Sequence, residues 1–130
     1  MTTDKDWNVI YSYTRAEAIE DGVLIDITDD AKATGFKVLT VISDKLYRQY
    51  VEVPTGLDRS FGQSRDGRLH DVLVLALIAA RSSKGTDRVY FKVDFLMEPG
   101  RSETVDIIAH IGPGDDGISP VLTIMLPEDD

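Results

Sequence analysis

The sequence predicts an α+β domain: several short N-terminal helices and one long buried helix packed on a C-terminal antiparallel β-meander. Three observations carry this. Helix caps and stop signals crowd the first half of the chain, an apolar run spans Val72 to Ala80, and apolar and polar residues alternate from Arg88 to Met97. Helices first and strands last place the helices on one face of an antiparallel sheet.

Thr14-Arg15-Ala16-Glu17 has the spacing of a capping box, so a short helix is expected over about Arg15 to Glu20, stopped by Asp21-Gly22. Val23 to Ile27 is apolar and β-branched, and reads as extended. Thr28 is expected to cap a second short helix through Ala33, ended by Gly35. Phe36 to Ile42 reads as a strand. Ser43 looks like an N-cap, with Leu46, Tyr47 and Tyr50 at helical spacing behind it.

Val53 to Asp66 carries Pro54, Gly56, Gly62 and Ser64 and reads as a long connection. The longest helix is expected from Asp66 or Gly67 to Ser82. Its turns from Val72 to Ala80 are apolar on every side, which implies burial on every side. Ser83 to Asp87 is a turn. The strand that follows sets Val89, Phe91, Val93 and Phe95 on one face and Tyr90, Lys92 and Asp94 on the other. Glu98-Pro99-Gly100-Arg101 is a hairpin connection. Glu103 to Ile111 and Val121 to Leu126 are the remaining strands. A single domain over residues 1–130 is expected, with 1–6 and 127–130 flexible.

Composition excludes several classes. The chain has no cysteine, so disulfides, thiolate metal sites and a cysteine nucleophile are ruled out. Met1 to Asp6 leads into no apolar run, so no signal peptide is expected, and the location expected is cytoplasmic. The run Val72 to Ala80 is far short of the ~20 residues that cross a bilayer. Charge is polarised. The first 34 residues carry net −5, residues 35–101 net +3, and the last 29 net −7 with no lysine or arginine. The total of −9 opposes binding to bare duplex DNA.

Two constellations stand out. The loop and helix start from Leu57 to Asp71 hold Arg59, Gln63, Arg65, Arg68 and Asp71. Guanidinium groups beside a helix N-terminus suit an anionic ligand; the alternative is that these charges pair with one another. Gly112-Pro113-Gly114-Asp115-Asp116-Gly117 sets two carboxylates in a glycine-rich loop. That suits either a divalent cation or an ordinary strand-to-strand turn, and the turn is the reading favoured. His70 and His110 show no metal-ligand spacing, and His70 with Asp71 and Ser64 lacks a nucleophile elbow. No metal, no cofactor and no catalytic residue is expected.

The strings YTRAEAIEDGVLIDIT (13–28), GLDRSFGQSRDGRLHDVL (56–73) and the ending GPGDDG…LTIMLPEDD resemble a family of short proteins encoded on bacterial plasmids, phages and other mobile elements. The resemblance runs from about Trp7 to the end. It implies a single-domain accessory protein and transfers no activity. His70 and Val53 stand where the family pattern has tryptophan, so a pocket lined by those rings would be altered here. The function expected is protein–protein contact with a basic partner surface, on a host nucleic-acid-handling or defence protein. The alternative is a small protein or enzyme holding a nucleotide-like anion on the arginines of residues 57–71.

Overall fold

Thr14 starts the described fold. Its hydroxyl accepts from the Glu17 N–H at 3.0 Å and donates to Glu17 Oε1 at 3.2 Å, so the expected capping residues meet at the head of helix α1 (Arg15–Glu20). The computed structural model describes residues 14–57, 61–83 and 86–129. The segment 1–6, expected to be flexible, lies outside them.

Strand β1 (Leu24–Asp26) leads to helix α2 (Thr28–Thr34). Thr28 is the first residue of α2 and not its cap. Its hydroxyl donates to Asp26 Oδ1 at 2.6 Å and accepts from the Thr40 N–H at 3.0 Å, tying α2 to strand β2 (Leu39–Ser43). That strand starts three residues later than expected. The Phe36 N–H donates to the Ala31 carbonyl at 3.0 Å, so Phe36 closes the end of α2 behind Gly35.

Ser43 caps α3 (Asp44–Leu46), accepting from the Leu46 N–H at 3.2 Å. The helix widens into a π-helical turn, Tyr47–Val51. The long helix α4 (Arg65–Ser82) is capped by Ser64, whose hydroxyl accepts from the Gly67 N–H at 3.0 Å. Strands β3 (Arg88–Glu98), β4 (Arg101–Pro113) and β5 (Pro120–Met125) follow. Pro99 and Gly100 join β3 to β4, and Gly100 takes φ 76°, as the second central residue of a type II turn requires.

The meander forms as expected, but the sheet is larger. Its five strands run β1-β2-β5-β4-β3, all antiparallel except β2 against β5. The parallel pair joins the N-terminal half to the C-terminal half. It pairs Val41 with Thr123 and Ile42 with Ile124.

Helix α4 lays Leu69, Val72, Leu73 and Ala76 on the sheet face that carries Val89, Val93, Phe95 and Ile107. The expectation of burial on every side is overturned. Leu75 is 37% exposed and Ile78 54% exposed. The helix has the sheet under it and α2 and the π-turn beside it, and no described residue covers its outward side. The apolar run is therefore wider than the face it has to bury. On the other side of the sheet, Val41, Ile108, Val121 and Met125 are buried, with Ala18 of α1.

Residues 127–129, expected to be flexible, form a 3₁₀ turn. Asp129 Oδ2 accepts from Ser43 Oγ at 2.7 Å and from the Leu126 N–H at 3.1 Å, and Lys45 Nζ lies 2.9 Å from Glu128 Oε2.

Candidate functional site

The helix start was expected to offer cations to a ligand. Arg59 lies outside the described residues. Arg65 and Arg68 fall on the first turn of α4 and are engaged within the chain. Arg65 Nε donates to Tyr47 Oη at 2.6 Å, and its Nη1 lies 2.8 Å from Asp66 Oδ1 and 3.4 Å from Asp30 Oδ1. The hydrogen bonds to Tyr47 and Asp66 raise its pKa, against the effect of burial.

Arg68 is only 4% exposed. Its Nε donates to the Tyr50 carbonyl at 2.7 Å, and its Nη1 to Gln63 Oε1 at 2.9 Å and to the Leu96 carbonyl at 2.8 Å. The guanidinium carbon sits 5.2 Å from the centre of the Phe95 ring. Burial lowers the Arg68 pKa, with the Asp71 charge opposing. Gln63, Arg65 and Arg68 are thus brought together, but as a brace between α4, the π-turn and β3. A buried cation is tolerated when acceptors surround it, and these do.

The two loop aspartates diverge. Asp116 Oδ1 accepts from the Ile118 and Ser119 N–H groups, each at 2.8 Å, and Oδ2 from Ser119 Oγ at 2.7 Å. The Ser119 hydroxyl, then those two amides, hold its pKa below the usual carboxylate value. Asp115 reaches away from the loop to the N-terminus of α1. It accepts from the Arg15 N–H at 2.8 Å and the Ala16 N–H at 3.2 Å. The pair does not converge on one point. Among the described residues, no group of three or more His, Asp and Glu is placed to hold a metal ion.

Among the described sequence-selected residues, Asp71 lines a groove. It stands with His70, Val74 and Leu75 on α4, facing Lys92 and Asp94 on β3, around a space of about 710 Å³. Leu75 is exposed on its helical side, Ile78 is exposed one turn further along α4, and Tyr90 is 69% exposed on the strand. Lys92 Nζ pairs with Asp106, and Asp94 accepts from the Thr104 hydroxyl. Sequence reading missed this groove. The available signal was the width of the apolar run: Leu75 and Ile78 lie opposite Leu69, Val72, Leu73 and Ala76, more than a helix on one sheet can cover.

A second cleft, about 660 Å³, lies on the opposite face of the sheet beside α1. Arg15, Ala18, Lys45, Thr123 and Met125 are among its walls. Arg15 Nε and Thr123 Oγ1 are buried with no hydrogen-bond partner among the described residues. Buried polar atoms of that kind are rare and call for a partner.

Residues 4–130 match a family described as a family of unknown function, DUF6573, and the chain belongs to it. No curated protein and no solved structure matches the chain.

Proposed function

We propose that this member of DUF6573 is an accessory protein of a mobile genetic element that works in the cytoplasm by protein–protein contact, masking a basic surface of a host nucleic-acid-handling or defence protein. One observation carries the reading: the groove where exposed Leu75 lies beside Asp71 and Asp94, with exposed Ile78 one helical turn beyond Leu75 on α4. Apolar side chains rimmed by charge are the usual makeup of a protein contact. The −9 charge of the chain favours a basic counterpart and can compete with DNA for it. The test is affinity capture from host lysate, with wild-type chain and Leu75→Glu/Ile78→Glu as baits, across a salt series. A basic-surfaced protein held only by wild type, and released by salt, supports the reading. Capture of the same proteins by both baits, or of none, sinks it.

A second reading rests on Arg15 Nε and Thr123 Oγ1. A small polar ligand in the α1 cleft would supply an acceptor to the first and a partner to the second. It stands beside the arginine-loop alternative, in which Arg65 and Arg68 are engaged within the chain and Arg59 lies outside the described residues. A thermal-shift screen against nucleotides separates the readings: stabilisation that vanishes in Thr123→Val supports the ligand, and no shift removes it.

A further inference from the structure

The backbone of β3 can be followed residue by residue. In an antiparallel pair, alternate residues turn both N–H and C=O toward the neighbour, and the ones between turn both away. The Asp87 carbonyl accepts from the Ile111 N–H at 2.8 Å, so odd-numbered residues face β4. Even-numbered residues face outward, because β3 ends the sheet among the described residues. Two of them are satisfied within the chain. The Thr86 hydroxyl donates to the Arg88 carbonyl at 3.0 Å and accepts from its N–H at 3.3 Å. Arg68 closes the Leu96 carbonyl at the other end. Between these plugs, Tyr90, Lys92 and Asp94 turn out backbone groups that have no partner among the described residues.

We infer that this slot takes an extended segment of the partner, alternating apolar and cationic residues, as an added strand beside β3. This rests on the protein-contact reading and names its surface. Edges left open over a short, bounded stretch admit a strand in one register and resist open-ended stacking. Side chains of the added strand would point alternately to two faces. On the α4 side they meet Val74, Leu75 and, one turn on, Ile78. On the other side they lie beside Tyr90, Lys92 and Asp94. Three carboxylates, Asp71, Asp94 and Asp106, stand here against two cations, Lys92 and, at the closed end, Arg88, so cations are favoured. A second copy of this chain would bring its own −9 charge to an already acidic edge.

The probe is a short acetylated and amidated peptide of alternating lysine and valine, titrated into the full chain and followed by nuclear magnetic resonance. Two controls are used: the same residues with the valines in one block, and an alternating glutamate–valine peptide. The alternating lysine peptide is expected to bind saturably and to slow amide exchange at Tyr90, Lys92 and Asp94 by about tenfold or more. Lys92→Pro removes an outward N–H and no β3–β4 bond, so binding is lost; Leu75→Glu, on the exposed helix side, weakens it independently of any effect on the strand. Equal binding of the blocked peptide, no binding of the alternating one, or full affinity in a folded Leu75→Glu overturns the inference. So does edge protection without peptide in a sample that sediments as a dimer. Should the peptide fail while the wild-type chain still captures a salt-released basic protein that the Leu75→Glu/Ile78→Glu bait loses, the edge falls and the partner reading stands. A wild-type bait that captures nothing removes the reading itself.

Discussion

Arg68 Nη1 lies 2.8 Å from the carbonyl oxygen of Leu96, which fastens the first turn of α4 to the far end of β3. The same guanidinium holds the Tyr50 carbonyl and Gln63 Oε1. Arg68→Ala strips three acceptors of their donor and leaves a void under Phe95. A loss of about 2–4 kcal/mol is expected in urea unfolding. Arg68→Lys restores little, since one ammonium cannot span the fork. Wild-type stability in Arg68→Ala would return this residue to the surface and to ligand binding.

Leu73 and Leu75 sit two residues apart on opposite sides of α4. Leu73 is 1% exposed and Leu75 37% exposed. Leu73→Asp places an unpaired carboxylate in the core and should unfold the domain. Leu75→Asp should cost no more than about 1 kcal/mol, mostly helix propensity. Circular dichroism and melting temperature check both. An unfolded Leu75→Asp would show the outward face of α4 to be covered after all.

What the sequence could reveal follows from the reach of each interaction. The Thr14 capping residues, the Ser64 cap and the Pro99-Gly100 turn are local chemistry, and all were legible. The alternation of β3 was legible because one face is buried against α4. The parallel pairing of β2 with β5 was not, since nothing local in Leu39–Ser43 names a strand eighty residues away. Arg68 was misread for a related reason. A charged residue on a helix start looks solvated until Tyr50, Gln63 and Leu96 are known to surround it. The overlong apolar run did contain the groove, but the run fits a fully buried helix equally well.

Tyr50 donates to Glu103 and stacks on Phe95 with ring centres 5.2 Å apart. The hydrogen bond to Glu103, then burial, raise its pKa to about 12 from an ordinary 10.0. The neutral phenol is the form the fold favours. Its contribution is therefore complete below pH 10 and is lost as pH rises through about 12. Ultraviolet titration should find one tyrosine ionising near that upper value, absent in Tyr50→Phe. That variant should lose about 1 kcal/mol at neutral pH. A titration with every tyrosine near pH 10 would show the Glu103 bond to be absent in solution.

Asp115 completes a helix that cannot stand alone. Six residues are too few for a stable isolated helix. The Thr14 hydroxyl takes the Glu17 N–H, and Asp115 takes the Arg15 and Ala16 N–H groups from across the fold. Those are the amides that no turn of α1 can satisfy. Asp115→Ala frees two of them and cuts the tie between the Gly112–Gly117 loop and α1. A loss of about 1–2 kcal/mol is expected. Because the tie is local, amide exchange should speed up over Arg15–Ile19 and leave β4 and β5 unchanged. Asp116→Ala should loosen only its own turn, since its carboxylate bonds Ile118 and Ser119 alone. Asp115→Asn keeps an acceptor but not the charge, and should fall between. Unaltered exchange at Ala16 and Glu17 in Asp115→Ala would place the cap elsewhere. The distinction also governs any test of surface charge. Asp115 and Asp129 hold separate elements together, so a drop in partner binding after neutralising them reports on α1 and the C-terminal turn. Neutralising Asp71 reports on the groove itself.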